Sequence, residues 1–395
     1  MPVDVSDIRE WLIDGARSSP NPIDMLDSLC KRLTAAGIPL WRVGFFIRTL
    51  HPDIFGRNFI WKPGEEIAIG TVDFDIQDTP EFNASPLLIV FRQGREVRCR
   101  ADDPEIRRYP IVEDLRAEGV TDYIALPLMF IEGSAHATSW TTKQEGGFTA
   151  GQLDALRSIM SPLARLVEVI ALRRIAITLL DTYVGNRAGE RVWAGQIRRG
   201  HGEAMHAAIW LSDLRGFTAL SDRLPPEAVV DILNNYFDCQ VAAIKAHGGE
   251  VLKYMGDGLL AVFPIDEYVG DSQQVCAHVL DAARETRAGI EAMQYPIGDT
   301  IERFRFGVAL HVGPILYGNI GGGTRLDFTC IGPAVNLAAR LEKLTGRLRR
   351  TIVASEGFAS ICSGGWRDLG EFPIAGFSRA QRVYGLFDEE AAAAA

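Results

Sequence analysis

The sequence has no paired cysteines. Its six cysteines, Cys30, Cys99, Cys239, Cys276, Cys330 and Cys362, are scattered over 395 residues and none stands in a CxxC pair. That weighs against a zinc ribbon or a redox dithiol. Thinly spread thiols of this kind read as reduced core residues of a cytoplasmic protein. Long apolar runs are also missing. None approaches the roughly 18 residues that a spanning helix needs, so no membrane span is expected. The opening MPVDVSDIREW is acidic and carries no signal-peptide pattern. An excess of basic residues is absent too: 41 Lys and Arg face 51 Asp and Glu, for a net charge of −10. General affinity for nucleic acid or anionic lipid is therefore not expected. An acidic chain that binds a nucleotide needs metal ions or a local basic cluster. What is present is ordinary for a globular protein: 47% hydrophobic and 23% charged residues exclude a disordered chain or a fibrous repeat. At roughly 150 residues per domain, the length suggests two or three domains.

Three regions follow along the chain. Residues 1–147 mix helical and strand patterns. An amphipathic helix directs Ile23, Leu26, Leu29, Leu33 and Ile38 towards one core. Short strands are expected at Arg42–Arg48, Phe59–Lys62, Leu87–Phe91 and Glu96–Arg100. Two more, Tyr123–Phe130 and His136–Thr141, are joined by a turn at Gly133. Residues 148–205 read as a long helix followed by a glycine- and arginine-rich connector. Thr149 is placed to cap the helix. Leu156, Met160, Leu163, Val167 and Ile170 recur with coiled-coil spacing, which then shifts to Leu172, Ile175 and Leu179. Up to Val169 a packed terminal helix and a dimer seam explain the pattern equally; beyond it the seam is favoured. The third region, 206–387, alternates as β-α-β-β-α-β with extra elements, a ferredoxin-like arrangement. The remaining 388–395 end in a low-complexity, disordered tail.

Two aspartates stand out in the third region. Asp213 ends the apolar strand AAIWLSD, and Asp257 sits in the tight turn of VLKYMGDGLLAVF. In a ferredoxin-like order these two ends lie side by side. Paired carboxylates on rigid strand ends hold divalent magnesium or manganese. Taken singly, Asp257 is explained as a turn residue and Asp213 as a cap for Arg215-Gly216-Phe217-Thr218.

The strings LSDLRGFT, LKYMGDGLLAVF and RLDFTCIGPAVNLAARLE, in this order and spacing, resemble the catalytic domain of class III nucleotidyl cyclases. The resemblance covers about His206 to Phe387. It implies a head-to-tail homodimer with active sites at the interface. It assigns Asp213, Asp257 and the Leu214 carbonyl to two Mg2+ or Mn2+ ions per site, which activate the ribose 3′-hydroxyl and stabilise the phosphates. It assigns Lys253 and Asp327 to the base. Adenine offers an N6 amino donor and an N1 acceptor, which a carboxylate and an ammonium match; guanine reverses both. Relatives that cyclise GTP carry Glu at the lysine position. Asn336 would orient the ribose and Arg340 would hold charge on the α-phosphate; i, i+4 spacing sets both on one helix face. Without that role, Asn336 is a helix cap and Arg340 the partner of Glu342 or another acid. Lys253 is likewise a solvated strand-edge charge and Asp327 a turn residue.

Two positions depart from the family. Pro333 replaces a common Asp, with little harm near a helix start. Ala375 stands where relatives often have a lysine for the terminal phosphates. Arg325, Arg347, Arg349 and Arg350 are candidates to replace it. The Gly321-Gly322-Gly323 run lacks the Lys-Ser/Thr of a P-loop and reads as a strand connection.

The first region resembles a GAF-type sensory domain more weakly, through IALPLMF, HATSW and GGFTAGQLDALRSI. His51, His136 and Cys99 read as structural rather than as ligands. The expected fold class is thus α+β: a GAF-like α/β sandwich, a long helix and a ferredoxin-like cyclase domain. The expected function is an adenylate cyclase, with ATP as substrate and an unknown small molecule as possible ligand of the first domain. The alternatives are a guanylate cyclase or a catalytically weak nucleotide-binding regulator. A cyclic-dinucleotide synthase is disfavoured, because MGDG stands in place of its GGDEF-type hairpin.

Overall fold

The structure is a computed structural model and describes residues 2–19, 21–100, 102–103, 109–265, 271–297, 300–302, 304–323 and 325–389. Packing divides the chain into two compact units, Met1–Leu179 and Leu180–Ala395.

The first unit is built on a six-stranded antiparallel sheet. Its strands are β1 (Arg42–Arg48), β2 (Ile54–Trp61), β3 (Ala68–Asp73), β4 (Val97–Arg100), β5 (Asp122–Met129) and β6 (Ala135–Thr142), in the order β3-β2-β1-β6-β5-β4. Helices α1 (Ser6–Ile13) and α2 (Pro22–Ala35) come first, followed by α3 (Pro80–Asn83), α4 (Pro86–Gln93), α5 (Pro110–Ala117) and α6 (Ala150–Val184). One sheet face packs on residues of α1, α2 and α6. The other packs on α4 and α5. β5 therefore reads as a nearly continuous apolar run, because both of its faces are covered.

Three local expectations change. Leu87–Phe91 is not a strand but the body of α4. The Ser85 side chain accepts the Leu87 N–H, Pro86 occupies the first turn, and Gly94 closes the helix at φ 62°. A five-residue apolar run is ambiguous by itself, and here the caps decide it. Ile23 is 40% exposed rather than buried, while Leu26, Leu29, Leu33 and Ile38 form the core. In α6, Leu156, Met160, Leu163 and Val167 bury into this unit's own core. Beyond them Val169 and Leu172 are 65% and 51% exposed. Thr149 and Gln152 cap the helix reciprocally: Gln152 N–H donates to Thr149 Oγ1 at 3.3 Å, and Thr149 N–H donates to Gln152 Oε1 at 2.9 Å.

The second unit opens with the last turn of α6, which ends at Gly185, at φ 87°. The expected connector contains a helix, α7 (Asn186–Trp193), whose Arg187 N–H donates to Glu250. There follow β7 (Gly202–Leu214), α8 (Phe217–Ser221), α9 (Pro226–Ala246), β8 (Glu250–Met255), β9 (Gly258–Ile265) and α10 (Ser272–Ala292). After the ribbon β10 (Tyr295–Ile297) and β11 (Thr300–Glu302) come β12 (Phe306–Gly322), β13 (Arg325–Ile331), α11 (Pro333–Leu348) and β14 (Ile352–Ser355). Last are α12 (Glu356–Ile361), β15 (Trp366–Phe372) and β16 (Gln381–Leu386). The sheet runs β15-β16-β14-β12-β7-β9-β8, with β13 paired to β12. Its centre, β12-β7-β9-β8, carries the βαββαβ connectivity that the pattern predicts. α9 and α10 cover one face, and α11 covers the other.

The sequence pattern predicts two strands here, Phe304–His311 and Ile315–Gly318, but β12 is a single strand that pairs with β7 without a break from Phe306 to Gly318. Pro314 falls after β14 pairing ends at Leu310 and before β13 pairing begins at Leu316. On that free stretch of edge its missing N–H does no harm. At the C-terminus, Asp388 and Glu389 do not belong to a frayed tail. Asp388 pairs with Arg287 at 2.8 Å, and Glu389 accepts the N–H groups of Thr351 and Ile352. Residues 390–395 lie outside the described residues.

Candidate active site

Asp213 stands at the end of β7, directly opposite Gly258. Gly256, at φ 69°, tightens the turn that carries Asp257 back beside it. A side chain at Gly258 would come within 2.9 Å of the Ser212 carbonyl oxygen, so only glycine allows β9 to start so close to the carboxylates. Asp213 does not cap the next helix: α8 has Gly216 at its N-cap and no side-chain bond there. Burial, then the Asp257 carboxylate and Glu342, push the Asp213 carboxyl up to about 7, with Arg215 acting the other way. Among the described residues neither acid makes an ion pair, and the Arg215 charge offsets only part of the crowding.

That donor set fits a hard divalent cation. Magnesium is held by one or two carboxylates and completes its shell with water and substrate phosphates. Among the described residues no group of three or more His, Cys, Asp or Glu side chains is placed to hold a metal ion. A metal here would thus rest on Asp213 and Asp257 with backbone oxygens such as that of Leu214. Leu214 itself is buried, facing the core shared with α9 and α10. A pH test follows. The Asp213 carboxyl ionises near 3.8 when unfolded and near 7 when folded. The unfolded chain therefore binds fewer protons in that window, and stability falls as pH rises through it. In a chelator, wild-type Tm is expected to drop over this range relative to Asp213→Asn, and Mg2+ to restore part of the loss above it. Equal pH slopes in the two proteins would rule out a strained pair.

Lys253 and Asp327 are brought together from β8 and β13, with Lys253 Nζ donating to Asp327 Oδ2 at 2.9 Å. A bulge between Val251 and Lys253 interrupts the alternation of β8. The side chains are 33% and 59% exposed, so the pair adds little stability. It opens at low cost to a ligand that offers both a donor and an acceptor.

α11 begins at Gly332 and Pro333 without a side-chain cap, so Asn336 lies inside the helix rather than at its cap. Asn336 and Arg340 are both exposed. Arg340 is not paired with Glu342. Glu342 is buried and takes Arg215, whose Nη2 donates to its Oε1 at 2.7 Å and to its backbone carbonyl at 3.1 Å. Arg215 thereby ties the end of β7 to α11. A side chain at Gly307 would lie 2.3 Å from that guanidinium. At 3.6 residues per turn, Arg340 and Glu342 stand roughly 200° apart around the helix. The face bearing Asn336 and Arg340 therefore points away from the side that carries Asp213.

Sequence reasoning missed two features. Lys343 is exposed and, with Arg347, already a candidate to replace the phosphate lysine, continues the Asn336–Arg340 face at 4-3-4 spacing, which was readable from the sequence. The Arg215–Glu342 pair joins residues 127 apart and left no local signal. Of the candidates to replace the phosphate lysine, Arg350 donates to the Leu386 carbonyl, and Arg349 forms the left-handed end of α11 at φ 52°. Arg325 is exposed at the start of β13, two residues before Asp327. Ala375 is exposed next to Ile374, which packs with Leu337, Leu341 and Leu344 of α11. In the first unit, Cys99 is core, His136 Nδ1 accepts the Arg48 N–H, and His51 Nδ1 accepts the Asp53 N–H.

Comparison with known proteins gives the following likenesses. Over 161 residues the chain is 32% identical to an adenylate cyclase of Anabaena cylindrica, covering 40% of this chain and 31% of that protein. Over 177 residues it is 30% identical to adenylate cyclase 1 of Rhizobium meliloti, covering 44% and 26%. The chain thus spans less than a third of the length of these relatives. The adenylyl cyclase CyaB from P. aeruginosa aligns at 28% identity over 48% of this chain and 96% of that chain, with a TM-score of 0.41. No helix among the described residues is long and apolar enough to cross a membrane. Residues 201–363 of the chain match the sequence profile of the adenylate and guanylate cyclase catalytic domain.

Proposed function

We propose that the chain is an adenylate cyclase, a lyase that converts ATP to 3′,5′-cyclic AMP and pyrophosphate. It works in the cytoplasm as a homodimer regulated by its N-terminal half. The observation that carries the reading is the Asp213–Asp257 pair, two carboxylates forced together where a nucleotide cyclase needs cations. Asp213, Asp257 and the Leu214 carbonyl would hold two Mg2+ or Mn2+ ions, which lower the pKa of the ribose 3′-hydroxyl and offset triphosphate charge. Lys253 donates to adenine N1 and Asp327 accepts from the N6 amino group, exchanging their mutual bond for bonds to the base. Asn336 orients the ribose, and Arg340 stabilises charge that develops on the α-phosphate.

The opposed faces of α11 support a shared site. A helix that turns Asn336 and Arg340 away from its own Asp213 offers them to a second copy. Each of two sites would then draw its aspartates from one protomer, and Lys253, Asp327, Asn336 and Arg340 from the other. The exposed Val169, Leu172 and Leu179 of α6 are consistent with a helical seam between copies. The six-stranded sheet with helices on both faces supports a GAF-like sensory module in the first unit.

The test is turnover of the purified protein with ATP and with GTP, in Mg2+ and in Mn2+, with Asp257→Ala as blank. Cyclic AMP well above the blank is expected. Cyclic GMP as the main product would overturn the assignment of Lys253 and Asp327. One observation favours a second reading, a catalytically weak nucleotide-binding regulator: Ala375 presents no charge where a phosphate-binding lysine is common. No product with any pair of nucleotide and metal would support that reading, and Ala375→Lys would then be expected to raise activity.

A further inference from the structure

The first unit contains a cavity of about 190 Å³ beside α4, walled mainly by Phe46, Phe55, Phe82, Leu87 and Phe91, with Arg48 among its lining residues. Phe82 stacks on Phe91 at 6.4 Å, and Phe55 meets Phe82 edge-on at 6.3 Å. The Arg48 guanidinium lies 5.3 Å from the Phe55 ring and 4.8 Å from the Phe91 ring. Its Nε is buried and has no hydrogen-bond partner. Arg48 makes no ion pair among the described residues, and the charged group acting on it is a second cation, Arg92. A half-buried guanidinium with an orphaned donor and a like-charged neighbour is costly. Two aromatic faces offset part of that cost, but neither accepts the unpaired N–H.

We propose that this cavity binds a small carboxylate with an apolar body of about one ring, its carboxylate on the Arg48 guanidinium and its ring against Phe55, Phe82 and Phe91. Three properties select that class. The guanidinium fork matches a carboxylate with paired N–H donors, and the missing counter-charge is negative. The walls are aromatic and favour a flat apolar body. An apolar cavity of about 150 Å³ holds one benzene, so the volume here suits one ring plus a carboxylate.

The inference deepens the sensory reading of the first unit, but its test does not depend on cyclase activity. Isothermal titration of the full chain would compare benzoate with benzyl alcohol, a neutral molecule of the same size. Benzoate is expected to bind at least tenfold more tightly, equally well in wild type and in Asp257→Ala. Arg48→Leu is expected to abolish that preference and Arg48→Lys to keep part of it, with folding checked by circular dichroism. Benzoate binding no tighter than benzyl alcohol in wild type, or an unchanged preference in folded Arg48→Leu, would overturn the proposal. Should Arg48→Leu not fold, the wild-type comparison decides alone. Benzoate binding in Asp257→Ala alongside an inactive wild-type enzyme would leave the site standing and count against the cyclase reading only.

Discussion

Asp213→Ala and Arg340→Ala are each expected to lower cyclic AMP formation by about a thousandfold, the scale of removing one preorganised charge from a polar transition state. The two losses have different origins. Asp213→Ala removes one of the two carboxylates held together at the end of β7. Arg340→Ala removes an exposed guanidinium with no hydrogen bond or ion pair among the described residues, so Tm is expected to stay close to wild type. Because α11 turns Arg340 away from its own Asp213, the two variants are expected to complement each other. A mixed dimer holds one site in which both residues are intact and one in which both are lost. With random mixing half of the dimers are mixed, and about a quarter of wild-type turnover should return in a two-fold symmetric assembly. Verified mixed dimers with no recovered activity would sink the shared site and place all roles within one protomer.

Lys253→Glu is expected to reverse nucleotide preference. The lysine donates where adenine has an acceptor, and guanine presents a donor at the same edge position. Losing a good contact with one base and gaining one with the other is worth a shift of about a hundredfold or more in the ratio of kcat/KM for ATP over GTP. The variant also sets a second carboxylate within reach of Asp327, which now lies 2.9 Å from the ammonium. Asp327→Asn in the same chain removes that repulsion and is expected to raise GTP turnover further. An unchanged ratio in both variants would mean that the pair does not contact the base. Exposure of both side chains makes a fold defect a poor explanation for any change.

By itself the sequence determined which residues could do chemistry and on what elements they ride. Asp213 closes an apolar strand, Asp257 sits in a glycine-flanked turn, and Asn336 and Arg340 share a helical face. Each of these is a local statement, made by periods of 2 and 3.6 residues and by turn chemistry. The strand expected at Leu87–Phe91 misread the chain because a short apolar run satisfies both periods; Ser85 and Gly94 carried the deciding signal. The partner of Glu342 was not legible. The arginine it takes is 127 residues away, brought there by packing α11 across the sheet, and that same packing turned Arg340 outwards. The orphaned Arg48 was equally invisible, because an unpaired charge is defined by what surrounds it in three dimensions. Local periodicity thus decided most of the elements, and the resemblance to class III cyclases supplied the inventory of candidate reactive groups. Which charges met a partner, which were left without one, and which were turned outwards were decided only when distant segments packed together.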